Sequence, residues 1–435
     1  MNNAGIRMLL ALVMALLAWT ALALPEGDGR AVAPEAEGGS GGVVAPEFAL
    51  PLLDIAMDDG GLPGDDPAPG TLTCTEPDGL GGTRVVQTPV ELRLRGNTSR
   101  RFPKLGYKLK LTDGAGDKRD LSLAGLRSDD DWILNPLYAD TSKLREALSY
   151  WLWEQINSRG SAAAASRFAF VELRLNGEYW GLYGLQERTD RKQVGADKRR
   201  GILYKVDAND CPDPGTLAAC DDPERCGGFQ LEFVGAAVES PWLPAADYAA
   251  LLAGGEGPGV ARLSLENAAD FALWSLLVQA RDNHFKNQFI HCAPEGDGYV
   301  LYRIPWDLNH TLGDLWAGDS PETNYVEYEI GELAVDDALA ALLAAGDGGV
   351  VGLMKQRWAA LRAGPLTEEN LLGHARALFD GLYPAILRDN ARWPECGMGE
   401  GSAANIRDIE DYLRTMLPRL DAWVDGLETE GEVWQ

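Results

Sequence analysis

The sequence is poor in histidine and lacks the residue spacings by which most zinc proteins hold their metal. Only four of the 435 residues are histidine, no His-Glu-x-x-His segment occurs, and the six cysteines form no Cys-x-x-Cys pair. Zinc-stapled domains and the common zinc hydrolases depend on such spacings. The cysteines are therefore better explained as disulfide partners than as zinc ligands.

Positive charge is also scarce, because 39 Lys and Arg face 66 Asp and Glu and the formal net charge is −27. This balance argues against a general nucleic-acid or anionic-membrane binder, and a basic protein partner would complement it. Beyond the N-terminus no segment has eighteen unbroken apolar residues, so no stable membrane insertion is expected. With 46% hydrophobic and 24% charged residues, the chain should be globular and long enough for more than one lobe.

The N-terminus has the pattern of a secretory signal peptide. Arg7 precedes a short apolar run, which ends in a small-residue Ala-Leu-Ala site at residues 21–23 before Pro25. This pattern predicts a signal peptide over residues 1–23, cleaved near Ala23. The mature protein is then expected in a periplasm, on the cell surface or in the medium.

Export makes disulfides the expected state of the cysteines. Cys211, Cys220 and Cys226 share one segment rich in Asp, Pro and Gly, while the other three cysteines are scattered. In an oxidising compartment local pairing within this segment is predicted, although the connectivity cannot be read from the sequence.

Composition divides the rest of the chain. Residues 24–46 are Gly, Ala, Pro and Glu without a hydrophobic period, which predicts a linker. The folded domain is expected over residues 47–428, followed by a tail at 429–435. Strand-like alternation predominates to about residue 205 and helical spacing from about residue 206, which predicts an α+β fold with a β-rich N-terminal part and a helical C-terminal part.

Three local patterns are informative within the domain. Alternating residues predict a strand pair over 85–111. KLREALSYWLWEQI has helical apolar spacing and follows the capping residues at 140–142. FAFVELRLNGEYWGLYGLQER predicts a hairpin that turns at Asn176-Gly177, since Asn-Gly favours a two-residue hairpin turn.

The predicted strand pair concentrates positive charge in an acidic chain. Seven basic residues lie within eighteen positions: Arg93, Arg95, Arg100, Arg101, Lys104, Lys108 and Lys110. Alternation places the two strand arginines on one face and the two strand lysines on one face. Such density suits a chain of phosphates, and the alternative is a solvated strand face. The turn at Gly96 has a single glycine and is not a P-loop.

The segment RDNHFKNQF, residues 281–289, carries an acid and an amide at the spacing of a phosphoryl-transfer loop. Asp282 and Asn287 are separated by four residues, as in the D-x-x-x-x-N part of the protein-kinase signature. Phosphoryl transfer needs one carboxylate to orient the attacking hydroxyl and others to hold Mg²⁺. Asp307 follows after two strand-like runs, where a metal-binding Asp is expected. We therefore predict Asp282 as the catalytic residue and Asn287 and Asp307 as metal ligands.

A metal-dependent hydrolase stays open as a second interpretation of this region. His284, His291 and His310 accompany the two aspartates, and such residues serve metal-assisted hydrolysis. The structural alternative is that His284 packs in the loop and holds a carboxylate or carbonyl.

Glu187, at the end of the predicted hairpin, has two interpretations. A kinase needs a Glu to hold its phosphate-binding Lys, and Glu187 could fill that role. Alternatively it forms a surface salt bridge with Arg188 or Arg191.

Several segments, in the same order, resemble the spore coat protein H (CotH) kinases, which are atypical secreted or surface-associated protein kinases. They are RGNTSRRFPKLGYKLKL, DDDWILNPLYADTSKLREALSY, LNGEYWGLYGLQERTD, ILYKVD, DNHFKN and WDLNHTLG. The resemblance covers roughly residues 47–428. It implies an atypical protein-kinase-like fold with two lobes. It also implies transfer of phosphate from ATP, with Mg²⁺ or another divalent cation, to Ser or Thr of a protein substrate, which we expect to be basic or Ser-rich.

The resemblance extends to single residues. Asp282 resembles the catalytic Asp, Asn287 a metal or phosphate ligand, and Asp307 the metal-binding Asp. The implied cofactor-binding residues are Arg95, Asn97, Ser99, Lys104, Lys108, Glu187, Tyr204 and Lys205. Among them the two lysines of the basic segment would meet the phosphates, and the pair at 204–205 would lie between the lobes near the adenine.

The chain departs from the family pattern at one position, because the usual WDLD reads WDLN with Asn309 in place of the second acid. A metal site there would have one charge less. An inactive kinase, a different ATP-dependent modification and a surface-interaction module on the same fold are the alternatives.

Overall fold

The structure is a computed structural model that describes residues 50–79, 81–96, 98–208, 210–317, 320–322, 337–344, 348–394 and 406–427. The predicted signal peptide, linker and tail lie outside these ranges, as do Asn97 and Cys396. Within the described ranges no helix is long and apolar enough to cross a membrane.

The N-terminal part is a closed barrel of seven strands. In chain order the strands of this part are β1 (Leu52–Met57), β2 (Ala68–Pro77), β3 (Thr83–Arg95), β4 (Gly106–Leu111), β5 (Leu121–Ser122), β6 (Ser128–Asp129), β7 (Asp131–Asn135), β8 (Phe168–Leu175) and β9 (Glu178–Glu187). The barrel order is β1-β2-β3-β4-β7-β9-β8, and β5 and β6 pair separately. A parallel contact between β1 and β8 closes the barrel.

Alternation along these strands separates a dry interior from a charged outer face. Leu92, Leu109 and Trp132 point inward and are fully buried, together with the other apolar residues of the barrel core. Their neighbours point outward because successive strand residues face opposite sides. Arg93 on β3 lies directly opposite Lys108 on β4, so the predicted basic face lies on the outside of the barrel.

The rest of the chain surrounds a second sheet. Its strands are β10 (Ile202–Val206), β11 (Arg225–Cys226), β12 (Phe229–Val234), β13 (Ala261–Leu263), β14 (Gln288–Glu295) and β15 (Gly298–Pro305), and the short strands β16 (Leu315–Ala317) and β17 (Ser320–Glu322) form a separate pair. The sheet order is β11-β12-β10-β14-β15-β13.

The described α-helices are α1 (Arg145–Ile156), α2 (Arg191–Val194), α3 (Pro214–Ala218), α4 (Leu243–Leu252), α5 (Leu265–Val278), α6 (Asp337–Ala344), α7 (Gly348–Arg362), α8 (Glu368–Arg392) and α9 (Ile406–Gly426). Helices α1 and α5 share one apolar core with the second sheet and with the C-terminal helices.

The predicted α+β class is confirmed, with a β-rich N-terminal half and helices towards the C-terminus. The predicted strand pair, the helix after residue 142 and the Asn-Gly hairpin are β3–β4, α1 and β8–β9. Strands continue after residue 206 to residue 305 within a second sheet, so this part is less helical than the sequence composition indicated. The two strand-like runs expected before Asp307 are β14 and β15.

Within the described residues one disulfide joins Cys220 to Cys226, six residues apart. The prediction of a local disulfide in this segment is confirmed. Cys211, the third cysteine of the segment, is a free thiol, as are the buried Cys74 and Cys292.

Candidate active site between the barrel and the second sheet

Helix α1 begins at a capped turn and lies between the barrel and the second sheet. The carboxylate of Asp140 accepts hydrogen bonds from the backbone amides of Ser142 (2.9 Å) and Arg145 (2.8 Å), and from the Arg145 guanidinium (2.6 Å). Such bonds satisfy backbone donors that the first turn of a helix leaves unpaired. They fix the orientation of the helix face that starts at Glu146.

Glu146 and Tyr150 lie one turn apart on α1 and both contact the barrel. The Asn135 side-chain amide donates to Glu146, and the Gln186 side-chain amide donates to the Tyr150 oxygen at 2.8 Å. Burial raises the pKa of Tyr150 well above its usual value, and the nearby backbone amide of Asp307 opposes that rise. Because i and i+4 residues share a helix face, Glu146 and Tyr150 bring the barrel to the loop that follows β15.

Two acidic residues, Glu146 and Asp307, interact electrostatically with two basic residues where α1 approaches the loop after β15. The basic residues are Arg95 and Lys205. Burial and the neighbouring Asp307 raise the pKa of Glu146 to about 8, against the opposing charge of Arg95. Burial and the positive charge of Arg95 lower the pKa of Lys205, while Asp307 acts in the opposite direction. Two cations and two carboxylates therefore lie within electrostatic range of one another.

Asp307 itself is exposed and sits in the left-handed backbone region, with a φ of 61°. Trp306, just before it, is buried, and the guanidinium carbon of Arg95 lies 5.7 Å from the centre of its ring. Burial of the tryptophan thus anchors the loop and leaves the aspartate side chain in solvent.

Hydrogen bonds to the backbone of Trp306 connect the DNHFKN loop, residues 282–287, to the segment that carries Asp307. Asn287 has a φ of 54°, and its carbonyl accepts from the backbone amide of Trp306 at 3.0 Å. The Asn283 side-chain amide donates to the carbonyls of Asn287 (2.6 Å) and Trp306 (2.7 Å). The backbone amide of Asn287 donates to the carbonyl of Val206 at 3.0 Å, and Val206 directly follows Lys205. These bonds hold the ends of β10, the DNHFKN loop and the loop after β15 together.

Within that loop both carboxylate oxygens of Asp282 have a partner. The Asn287 side-chain amide donates to Oδ2 at 2.6 Å, and the Lys286 ammonium lies 2.8 Å from Oδ1. The Asp282 side chain remains 41% exposed, so an incoming hydroxyl can still reach it. A solvent-accessible carboxylate that is oriented by an amide and a cation can orient a hydroxyl donor.

Three of the predicted cofactor-binding residues, Lys104, Tyr204 and Glu187, are buried and do not lie on the basic outer face. Lys104 is fully buried, and its ammonium contacts Asp389 and the carbonyl of Leu182, each at 2.6 Å. It therefore offers no accessible cation to a phosphate. Tyr204 is also fully buried and stacks on Trp242, because it faces the opposite side of β10 from Lys205.

Glu187 fits neither interpretation made from the sequence. Its side chain is 1% exposed and accepts from the backbone amide of Arg127 at 2.8 Å, so it makes no surface salt bridge. Arg188 instead pairs with Asp131 (2.7 Å) and Glu232 (3.0 Å).

Two further predicted residues, Lys108 and Ser99, lie on or next to the basic outer face. Lys108 is partly exposed and its ammonium lies 3.0 Å from Asp131. Ser99 belongs to a short 3-10 helix, Thr98–Arg101, in the turn after β3. A side chain at Gly96, whose φ is 112°, would collide with the Ser99 hydroxyl, so glycine is required there.

The three histidines do not form a metal site. His291 is buried and its Nδ1 lies 2.8 Å from the carbonyl of Ala162, while His310 Nδ1 lies 3.7 Å from Asp314. In the described part of the chain, the one group of three or more clustered His, Cys, Asp or Glu side chains is Asp120, Asp129 and Asp130, without a histidine.

Glu146 was missed by the sequence reasoning. The available signal was an acidic residue on the apolar face of KLREALSYWLWEQI, since a Glu is rarely buried without a partner.

Paired carboxylates and paired cations thus lie where a barrel, a helix and a second sheet meet. The family model of the CotH kinase protein matches residues 92–250 and 259–417, and the chain belongs to this family. The matched ranges include Arg95, Glu146, Asp282 and Asp307. No curated protein matches the chain.

Proposed function

We propose that the protein is an exported kinase that transfers the γ-phosphate of ATP to a Ser or Thr hydroxyl of a protein substrate. The observation that carries this proposal is the meeting of Arg95, Lys205 and Asp307 beside the loop that holds Asp282. Membership of the CotH kinase family supports it. Phosphoryl transfer needs cations for the phosphates, oxygen ligands for a metal and a carboxylate for the nucleophile.

Arg95 and Lys205 are proposed to hold the phosphates. Both lie near Asp307, and burial together with the Arg95 charge already disfavours the protonated form of Lys205. On the adjoining strands Arg93 and Lys108 are directly opposite each other, and like charges at that distance repel. An anion between these cations would remove the repulsion, so Ser99 in the following turn stays within the proposed phosphate site. Asn97 lies outside the described residues and stays a proposed ligand from the sequence alone.

Asp307 and Asn287 are proposed to hold the divalent cation. Because the Asn287 amide nitrogen donates to Asp282, its amide oxygen is available as a ligand. Carboxylate and amide oxygens suit Mg²⁺, which in such enzymes shields the charge of the phosphates.

Asp282 is proposed to orient the substrate hydroxyl and to accept its proton. The bond between the hydroxyl oxygen and the γ-phosphorus forms as the bond from that phosphorus to the β–γ bridging oxygen breaks, and ADP leaves. In this scheme the barrel with α1 is the phosphate-binding lobe, and the second sheet with the C-terminal helices is the catalytic lobe of a kinase-like fold.

The proposal also includes export of the protein and the kind of protein substrate it would phosphorylate. Residues 1–23 would direct the chain out of the cytoplasm, and the disulfide between Cys220 and Cys226 is consistent with an oxidising compartment. The net charge of −27 favours a basic protein substrate. A Ser-rich substrate is proposed because the transfer is to a Ser or Thr hydroxyl.

The test is autophosphorylation, or phosphorylation of a basic protein, by the purified mature chain with labelled ATP and Mg²⁺ or Mn²⁺. Asp282→Asn should remove labelling and keep ATP binding, whereas Asp380→Asn, an exposed acid on α8, should behave as wild type. Labelling by Asp282→Asn at the wild-type rate would overturn the catalytic assignment.

A second candidate is an inactive surface-interaction module on the same fold. Two observations favour it: Lys286 and Asn287 occupy both oxygens of Asp282, and Asn309 stands where the family has an acid. Calorimetry with ATP and Mg²⁺ separates the candidates, because the interaction module predicts no nucleotide affinity.

A further inference from the structure

Asn283 is a buried side chain next to Asp282, and the proposed reaction does not yet use it. Its exposed fraction is 1%. The side-chain nitrogen Nδ2 donates to the carbonyl of Asn287 at 2.6 Å and to the carbonyl of Trp306 at 2.7 Å. Both partners are carbonyl oxygens, which only accept, so the nitrogen and not the oxygen of the amide must face them.

The oxygen of the same amide is left without a hydrogen bond. Among the described residues no donor reaches Oδ1 of Asn283, and this atom is buried. A buried acceptor without a partner lowers stability, and an apolar side chain of similar size would avoid that cost. Fold stability alone therefore does not explain an asparagine here, whereas the two donated hydrogen bonds do.

The two carbonyls belong to the segments that carry the proposed metal ligands. Asn287 and Asp307 have left-handed backbone, with φ values of 54° and 61°. The Trp306 carbonyl lies in the peptide unit that leads into Asp307. Residues with side chains keep such backbone where surrounding contacts hold it. By donating to both carbonyls, Asn283 fixes the two left-handed positions relative to each other.

The same asparagine also fixes Asp282. It directly follows Asp282 in a short 3-10 helix, where its backbone amide donates to the carbonyl of Ala280 at 2.9 Å. Asn287, whose carbonyl Asn283 holds, donates through its own side chain to Asp282 Oδ2 at 2.6 Å. The covalent chain and a pair of hydrogen bonds therefore both connect Asn283 to the Asp282 carboxylate.

We propose that Asn283 is a positioning residue that holds the Asp282 carboxylate at a fixed distance from the proposed metal site. This inference rests on the proposed function, because it concerns the same site. Phosphoryl transfer needs the nucleophile in line with the metal-bound phosphate, and a misplacement of about 1 Å can lower the rate about 100-fold. Asn283 acts through the residues that it holds and contacts neither substrate nor cation.

Asn176 offers a matched control in the barrel. Its side-chain amide also donates to two carbonyls, those of Gly60 (3.1 Å) and Gly61 (2.8 Å), and its Oδ1 accepts from the backbone amide of Met57 at 2.8 Å. It lies in the turn between β8 and β9, outside the candidate site. Loss of this side chain should destabilise the barrel and leave the loops of the site unchanged.

The first measurement is backbone amide hydrogen exchange on the mature chain, for wild type, Asn283→Ala, Asn283→Leu and Asn176→Ala. Leucine is close to asparagine in size and removes both the donor and the unpartnered oxygen, so Asn283→Leu should fold even where Asn283→Ala is unstable. In both Asn283 variants exchange at the amides of Asn287 and Trp306 should be about tenfold faster or more, because the contacts that hold these segments are lost. Asn176→Ala should not change it.

The second measurement combines Mn²⁺ binding, by electron paramagnetic resonance without nucleotide, with the rate of phosphate transfer from ATP to a basic protein. Both Asn283 variants should bind Mn²⁺ about tenfold more weakly, as loss of groups that orient metal ligands typically does. Their kcat should fall about tenfold or more, with the KM for the protein unchanged. Asn176→Ala should have a lower Tm but wild-type Mn²⁺ affinity and kcat.

The outcomes separate this inference from the proposed function. Wild-type Mn²⁺ affinity and kcat in the Asn283 variants would overturn the positioning role and leave the kinase proposal intact, whether or not exchange is faster. Loss of the fold in both variants would assign Asn283 to stability and overturn the role as well. A wild-type chain that binds no Mn²⁺ and transfers no phosphate would overturn both proposals.

Discussion

Lys104 and Asp389 lie 285 positions apart in the chain and form an ion pair in which neither side chain has any solvent exposure. The ammonium and the Oδ1 atom are 2.6 Å apart, and the same oxygen accepts from the backbone amide of Leu182 at 2.9 Å. A second buried lysine, Lys143, lies 3.7 Å from Oδ2. Helix α8 thus supplies one carboxylate to two cations of the N-terminal part.

Removal of this carboxylate should destabilise the protein strongly. Asp389→Ala removes the carboxylate that pairs with two buried ammonium groups, and breaking a buried pair in this way costs about 3–5 kcal/mol. Urea unfolding followed by circular dichroism measures the change. Asp380→Asn, an exposed acid on the same helix, should stay within about 0.5 kcal/mol of wild type. Equal stability of the two variants would contradict the structural role.

Two of the three lysines predicted to bind the cofactor, Lys104 and Lys205, should behave differently. Lys205→Met removes a cation beside Asp307 and should weaken ATP affinity about tenfold or more, since a charge-assisted hydrogen bond is worth about 1.5–3 kcal/mol. Lys104→Met should lower the free energy of unfolding and leave the ATP affinity of the folded fraction unchanged. Calorimetry with ATP and Mg²⁺ on each folded variant tests this, and the opposite ranking would return Lys104 to the phosphate site.

Acid should destabilise the protein partly through His291. Burial lowers the pKa of this histidine below 6.5 in the folded state, so the unfolded chain binds the proton more readily. The penalty is absent above the unfolded pKa and grows as pH falls from about 6.5 towards the lower folded pKa. His291→Gln should therefore show a smaller loss of unfolding free energy between pH 7.5 and 5.5 than wild type. A loss of the same size in both proteins would exclude this contribution.

Elements whose contacts are local could be predicted from the sequence. The hairpin β8–β9 follows from Asn176-Gly177, because that dipeptide adopts the backbone twist of a tight turn, and Asn176 does have a positive φ of 52°. Helix α1 and the pair β3–β4 follow from apolar periods of 3.6 and 2, since these periods decide which side chains are buried.

Placement of the basic residues could be predicted only in part. Alternation along β3 correctly predicted Arg93 and Arg95 on one face, but Lys104 lies in the connection to β4, where no period applies. Its burial depends on Asp389, far along the chain, and no local pattern encodes that pairing. Tyr204 is buried for another reason: it alternates with Lys205, so one of the two had to face the core.

The candidate site depends both on local sequence spacing, which could be predicted, and on long-range packing, which could not. Asp282 and Asn287 could be paired from their spacing because both lie in one loop, and the structure joins them by a hydrogen bond of 2.6 Å. Glu146 could not be linked to Asp307 in advance, since 160 residues and the course of the second sheet separate them.

The left-handed backbone at Asn287 and Asp307 would set the proposed metal binding against stability. Residues with side chains pay a steric cost at φ values of 54° and 61°, which glycine does not pay. A selection for heat resistance alone should therefore favour glycine at both positions and erase the proposed metal ligands. Retention of Asn287 and Asp307 in natural variants, despite the steric cost, would then indicate selection for the proposed metal site, independently of any assay for the substrate.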